Sequence, residues 1–549
     1  MATDLFGVVD TPKSNDASVT NTEACGGIDK TTAMALRRPS PNRLPFELLA
    51  IIFLEYAQLL PLWTTRVPLW VAVSYVCRHW RNAALGCASL WARLFFVSLE
   101  WMDELLVRSK AAPLFIYVNF CHVRGSGSGP IRSFKKALGC IGRVQELWVD
   151  CSEYSMIDMI YTGLTVAAPL LRSFRLTWPT CERGFVMTKD TLPGAMPGLR
   201  EVHLEPCDVY WASPIFNGLT KLSLNFVLND VMECWDGLLL ILGQSPCLRG
   251  LCLKNIPAYF DGSLIITQNT AKVSLPYLEE LTLSNPTPWM AALLARLEFP
   301  RSTSVQLGCD FYVPDEIPLL IPFITDKFGS RLSQSTASIK PVLRSLDFRH
   351  DNDGDWTFEY GTTNYASTYG KNTAPRGEDL DSRYSLRIEF PQSNFFGFLI
   401  GITPLFDALS MEHLNIITMH SELEGGFYSL WTDTFRDSPE LEVIEIGRGC
   451  ANMLVHGLQP RDGVIFAPTL TDLAFKTIFF DHGTCRGEES HVHGIGCLMC
   501  LRSALASRAE AGVMLQRLYL DHCTGIRKED ITELSKVVGR VEWTPTKTE

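Results

Sequence analysis

Leu248-Arg-Gly-Leu251-Cys-Leu253 decides how this chain is read, because the same spacing returns at Leu219-Thr-Lys-Leu222-Ser-Leu224 and Leu278-Glu-Glu-Leu281-Thr-Leu283. Two apolar positions are separated by two residues and followed by one alternation, the pattern of a short strand with one face turned inward. Further copies start at Val144, Leu171, Leu199, Leu343, Met411, Leu441, Leu470 and Leu515, eleven in all. Six offsets, among them 144 to 171 and 219 to 248, fall between 27 and 30 residues. The steps from 278 to 343 and from 343 to 411 each span about two periods, with degenerate strands at Val305-Gln-Leu307 and Leu386-Arg-Ile388 where copies are missing.

A recurrence of this length is that of leucine-rich repeats. Apolar runs long enough for helices, Met156–Thr165, Trp235–Leu242, Phe396–Leu409 and Cys497–Ala509, lie between the strands. The expected fold class is therefore α/β: over residues 143–545, an irregular, curved solenoid with parallel strands inside and helices outside. Residues 96–142 read as a linker or capping region, and the polar stretch 349–383 as a long loop. Residues 1–40 are rich in Thr, Asp, Asn, Ser and Gly and read as a flexible leader, too polar to offset the entropy of ordering.

Composition narrows the function. The 549 residues are 46% hydrophobic and 20% charged, an ordinary balance for a folded chain. A formal charge of -11 repels phosphate backbones and anionic lipid, so neither nucleic acid nor membrane is an expected partner. The 17 cysteines are scattered, as free thiols are in a reducing compartment, and no asparagine-glycosylation sequon or apolar signal core is present. A cytoplasmic or nuclear location, or both, follows as the expectation.

The N-terminal part, 41–95, has a different grammar. Phe46, Leu49, Ile52, Phe53 and Tyr56 recur at helical steps, and a second helical run places Val73, Val76, Cys77 and Trp80 on one face. The ordered set Leu44-Pro45, Ile52-Phe53, Val76-Cys77-Arg78-His79-Trp80 and Leu90-Trp91 closely resembles an F-box, over about a tenth of the chain. With the repeats behind it, the chain resembles the leucine-rich-repeat class of F-box proteins, particularly the fungal type. The resemblance implies that Leu44, Pro45, Leu48, Leu49, Ile52, Val76 and Cys77 form an apolar patch for a Skp-type adaptor, and through it a cullin. Trp80 and Trp91 read as internal packing.

No catalytic chemistry is legible. Gly125-Ser-Gly-Ser-Gly129 lacks the Gly-Lys-Ser/Thr of a nucleotide loop, and Asp351-Asn-Asp353-Gly-Asp355 has Trp356 where a calcium loop needs glycine. Cys497-Leu-Met-Cys500 has the spacing of half a zinc site, near His482, Cys485, His491 and His493, but without a clean second half. The expectation is a non-enzyme without metal or cofactor. Its target protein would meet the residues alternating outward on the strands: Trp148, Arg175, His203, Ser223, Cys252, Thr282, Asp347, Glu445 and Tyr519. The competing expectation is a repeat scaffold that binds proteins without a ligase role.

Overall fold

The repeated motif makes strands because residues two apart bury on one face and leave the residue between them to the other. Leu147 and Val149 are each 1% exposed, whereas Trp148 between them is partly open to solvent. The computed structural model describes residues 44–59, 69–94, 99–119, 128–150, 157–178, 185–194, 196–229, 231–257, 272–309, 314–328, 344–350, 355–361, 385–390, 402–406, 408–409, 411–421, 431, 434–435, 438–448, 451–460, 464–482 and 495–545. It is mixed α/β, and among the described residues its main sheet has 17 strands. In chain order these are β1 Arg93–Leu94, β2 Leu114–Asn119, β3 Val144–Asp150, β4 Ser173–Thr177, β5 Glu201–Glu205, β6 Lys221–Asn225, β7 Gly250–Lys254, β8 Glu280–Asn285 and β9 Ser304–Cys309. There follow β10 Ser345–His350, β11 Trp356–Gly361, β12 Leu386–Phe390, β13 Ile416–Ser421, β14 Val443–Arg448, β15 Asp472–Lys476, β16 Arg517–Asp521 and β17 Arg540–Thr544.

The helices used below are α1 Phe46–Leu59, α2 Val73–Val76, α3 Arg78–Gly86, α4 Leu99–Arg108, α5 Ser128–Leu138, α6 Ile157–Leu164, α7 Val231–Gly243, α8 Thr287–Leu294, α9 Ile321–Phe328, α10 Ala451–Gly457, α11 Leu498–Glu510 and α12 Lys528–Leu534. Three of the expected helical runs are met by α6, α7 and α11; half of the fourth, Phe396–Leu409, lies outside the described residues. Two compact units result, one holding α1 and Leu69–Leu90, the other the described residues from Trp91 onward.

Successive rungs are locked by one recurring backbone arrangement. The Arg200 carbonyl accepts from the N–H groups of Thr220 and Lys221, that of Thr220 from Arg249 and Gly250, and that of Arg249 from Glu279 and Glu280. The same double acceptance runs from Asn415 through Glu442 and Thr471 to Gln516 and Arg517. An asparagine ladder reinforces it: Asn255 Nδ2 donates to Asn225 Oδ1 at 3.1 Å, and buried Asn285 accepts the Ile256 N–H at 2.8 Å. Because each rung satisfies the next one's backbone polar groups, these strands keep one register from rung to rung.

The structure departs from the sequence reading in four places. Residues 96–142 are not a linker throughout: β2 pairs in parallel with β3, and α4 packs on α5. The polar stretch 349–383 is not all loop, since β11 lies within it, antiparallel to both β10 and β12. As a result the spatial order is β9, β12, β11, β10, β13, so the copy at Leu386 precedes the copy at Leu343. Trp356, Phe358 and Tyr360 alternate along β11 and are at most 1% exposed, which drives this strand into the sheet. The copy that starts at Met411 is three residues out of phase: Ile417 and Met419, not Leu414 and Ile416, align with Ile444 and Ile446 of β14. An odd shift exchanges the two faces of a strand, and both phases satisfy the apolar spacing. Finally, the second N-terminal helical run is broken at Cys77, whose φ of -159° and ψ of 171° are extended, leaving α2 and α3 as separate helices.

Candidate functional site

Two surfaces carry the expected residues, one on each unit. On the first unit, α1 buries Leu49, Phe53 and Ala57 at i, i+4 and i+8, with Phe53 against Trp80 at 5.1 Å between ring centroids. Its opposite face leaves Leu48, Ile51 and Ile52 exposed at 48%, 56% and 46%. Val76, at 59%, and Tyr75 are exposed at the end of α2. Pro45 is exposed, and Leu44 and Cys77 are partly so. Leu49 is the correction: expected in the patch, it is 0% exposed, because helical spacing puts it in line with Phe53 on the inward stripe. Phe46 and Tyr56, which recur with Leu49 and Phe53 at helical steps, are by contrast exposed, and so is Ile52, as its place in the patch requires.

Local chemistry fixes this geometry. Cys77 Sγ accepts the Trp80 N–H at 3.4 Å and so caps α3, tying up part of a residue expected to face outward. His79 Nε2 lies 2.8 Å from the Leu44 carbonyl, and its ring stacks on Phe46 at 4.7 Å. Trp80 is partly buried, while Trp91 is 1% exposed and carries the Arg108 guanidinium over its ring at 4.3 Å.

On the sheet, cross-strand register lines up all nine residues expected to meet a target. Trp148 pairs with Arg175, Arg175 with His203, His203 with Ser223, Ser223 with Cys252, and Cys252 with Thr282. The row continues through Gln306, Arg387, Glu359, Asp347, Thr418, Glu445, Ala474 and Tyr519 to Glu542, and begins at Tyr117. Gln306 and Arg387 were legible as the middle residues of the degenerate strands; Glu359 was signalled only by the alternation of Trp356, Phe358 and Tyr360. Thr418 was hidden by the phase error at Met411.

The two halves of the row differ. Trp148, Arg175, His203, Ser223, Cys252 and Thr282 are all partly exposed and line a cavity of about 230 Å³. Asp347, Glu445 and Tyr519 are instead 8%, 9% and 6% exposed, so the expectation that they present themselves to a target is corrected. Their charges are absorbed locally. Arg349 donates to both carboxylate oxygens of Asp347, with Nη2 2.6 Å from Oδ2, and Arg387 pairs with Glu359 at 3.2 Å and Glu389 at 2.9 Å. Burial pushes the Glu445 carboxyl up, but hydrogen bonds from His420, at 3.1 Å, and from Lys476 outweigh it and hold the pKa below the ordinary carboxylate value. Desolvated charges persist only when paired in this way.

Within the open half, Trp148 is oriented by its indole N–H, which donates to Ser173 Oγ at 3.2 Å, and by the edge of Tyr117 at 5.0 Å. Burial, then Arg175 and Lys254, lower the His203 pKa from 6.5 to about 4. Glu205 Oε2, 3.6 Å from His203 Nε2, does not hold a proton there against those three influences. Burial raises the Cys252 thiol pKa, so this sulfur is a poor nucleophile at neutral pH.

The tempting sequence features lie only partly among the described residues. Cys497 Sγ accepts the Cys500 N–H at 3.3 Å and caps α11, a use of that spacing which needs no ion. Among the described residues no group of three His, Cys, Asp or Glu is placed to hold a metal; Cys485, His491 and His493 lie outside them, as do residues 125–127 and 351–354. Among the same residues no helix is long and apolar enough to cross a membrane.

Comparison with known protein families finds no family model matching this chain, and comparison with curated proteins finds no match.

Proposed function

We propose that the chain is a substrate-recognition adaptor of a cullin-RING ubiquitin ligase, working in the cytoplasm or nucleus. In this reading the first unit is an F-box docking on a Skp-type adaptor, and the repeats form a curved leucine-rich-repeat solenoid whose polar face holds the target. The observation that carries it is the outward face of α1: Leu48, Ile51 and Ile52 stay about half exposed on a helix whose other face is already packed. Large apolar groups left together on so small a unit call for a covering partner, and a helical one matches the spacing.

The contribution to the reaction is proximity. A target held on the sheet and a ligase held on the first unit share one chain, which raises the effective concentration of a target lysine at the transferring enzyme without any catalytic residue here. The Skp-type contact is tested by pull-down with purified adaptor, comparing wild type with Leu48→Asp. Loss of the adaptor in the variant is expected, since a carboxylate buried against an apolar surface is strongly disfavoured. Equal recovery refutes the ligase reading and leaves a protein-binding repeat scaffold.

A further inference from the structure

The open half of the polar row is a built cavity whose chemistry points to a ligand class. Its walls include Trp148, Arg175, His203, Ser223, Gly250 and Cys252, and its volume, about 230 Å³, is that of one amino-acid residue with room to spare. Gly250 contributes no side chain to this wall; a Cβ there would come into contact with the Lys221 side chain at 3.4 Å.

Arg175 is the distinctive group. Three other guanidinium groups on this face are engaged by carboxylates: Arg349 by Asp347, Arg387 by Glu359 and Glu389, and Arg517 by Asp472 at 2.5 Å. Among the described residues Arg175 has no carboxylate partner; its Nε reaches Thr177 Oγ1 at 3.5 Å, and its terminal nitrogens carry no bond to these residues. Its Cζ lies 5.9 Å from the Trp148 ring, so a fork of donors stands beside a fixed aromatic plane. His203 beside it is neutral, adding a hydrogen-bonding ring without a second full charge. Lys221, Glu201 and Glu280 also line the cavity; together with Arg175 they sum to no net charge, which opposes an anion carrying two charges.

We propose that this cavity binds one carboxylate of the target polypeptide, gripped in a bidentate manner by Arg175 with the adjoining aliphatic carbons laid on Trp148. The assignment rests on reading the polar face as the target-binding surface. One guanidinium matches one carboxylate in charge and in planar geometry, whereas the rim glutamates disfavour a phosphate dianion. The carboxylate belongs to an acidic side chain or to a chain terminus, two sources of the same chemistry.

The test uses the immobilised full-length chain and four pools of N-acetylated random octapeptides. One ends in a free carboxylate without Asp or Glu, one is amidated with a single Glu, one is amidated and neutral, and one is amidated with a single phosphoserine. Retention of the first or second pool above the neutral pool is expected, and which of the two is retained identifies the source. Arg175→Gln should weaken retention by about tenfold or more, the usual loss for a charge-assisted bidentate contact. Arg249→Gln, in an exposed pair with Glu279, should leave retention unchanged. Thermal melts of each variant keep loss of fold apart from loss of binding, and Arg175→Lys, which keeps the charge but not the fork, should fall between. Equal retention of the neutral pool, preference for phosphoserine, or a folded Arg175→Gln protein that binds as wild type would overturn the assignment. The same preparations are assayed for adaptor capture. Capture without carboxylate selectivity sinks the cavity assignment alone, and carboxylate selectivity without capture sinks the ligase reading alone.

Discussion

Leu48 and Leu49 are neighbours in sequence with opposite fates, and replacing each by alanine separates the exposed face of α1 from its packed one. Leu49 is 0% exposed, in line with Phe53 and Ala57. Truncating a leucine so enclosed removes its transfer free energy and leaves a cavity, a cost of about 3 kcal/mol. Leu48 is 48% exposed, so its truncation leaves no cavity and costs less than about 1 kcal/mol, partly offset by the better helix propensity of alanine. A unit this small has little stability in reserve. The assay is amide hydrogen exchange read by mass spectrometry on peptides covering α1 and α3, because a melt of the whole chain is dominated by the sheet. Leu49→Ala should raise the opening equilibrium of these helices by about a hundredfold, and Leu48→Ala by less than about fivefold. Adaptor capture should fall in both, in Leu48→Ala without loss of protection. Equal protection in the two variants, or greater opening with Leu48→Ala, would refute the assignment of inward and outward faces.

Three further outcomes follow from the second unit. His203 stays neutral in the folded chain down to about pH 4 while its unfolded form takes up a proton near 6.5, so its contribution to stability is intact above 6.5 and is lost between 6.5 and about 4. The full shift corresponds to about 3 kcal/mol, reduced to about 1–2 because 27% of the side chain remains in solvent; urea midpoints from pH 7.5 to 4.5 should lose this slope in His203→Gln, and parallel curves would contradict it. Asn285→Ala should cost about 1–3 kcal/mol in urea unfolding, since the Ile256 N–H then loses its buried acceptor. Arg508, 0% exposed, donates to the Phe466 and Ala467 carbonyls at 2.5 and 2.8 Å, and Arg508→Met should cost about 2–4 kcal/mol by the same measurement, with an unchanged midpoint excluding it as a latch.

Much of the sheet was written in local pattern. Leu248-Arg-Gly-Leu251-Cys-Leu253 and its relatives announce strand, inward face and period together, because each strand's burial depends on its own alternation. The same alternation named Trp148, Arg175, His203, Ser223, Cys252 and Thr282 as one row, and the register joins them pair by pair.

What the sequence left open was every question that depends on a neighbour. Spacing cannot tell a strand that follows its predecessor in space from one that folds back, so only the paired backbone placed β12 beside β9 and turned β11 against both its neighbours. Nor can it choose between two phases three residues apart at Met411 when both keep apolar residues in step, until the partner strand sets the register. Whether a charge is open to a ligand or already neutralised is likewise a matter of partners distant in the chain. Arg387 meets Glu359 across a strand meander the repeat does not contain, and Arg517 meets Asp472 on the neighbouring strand, while Arg175 is left beside a cavity. Burial and electrostatics are properties of the assembled neighbourhood, and local sequence encodes only the preference to enter it.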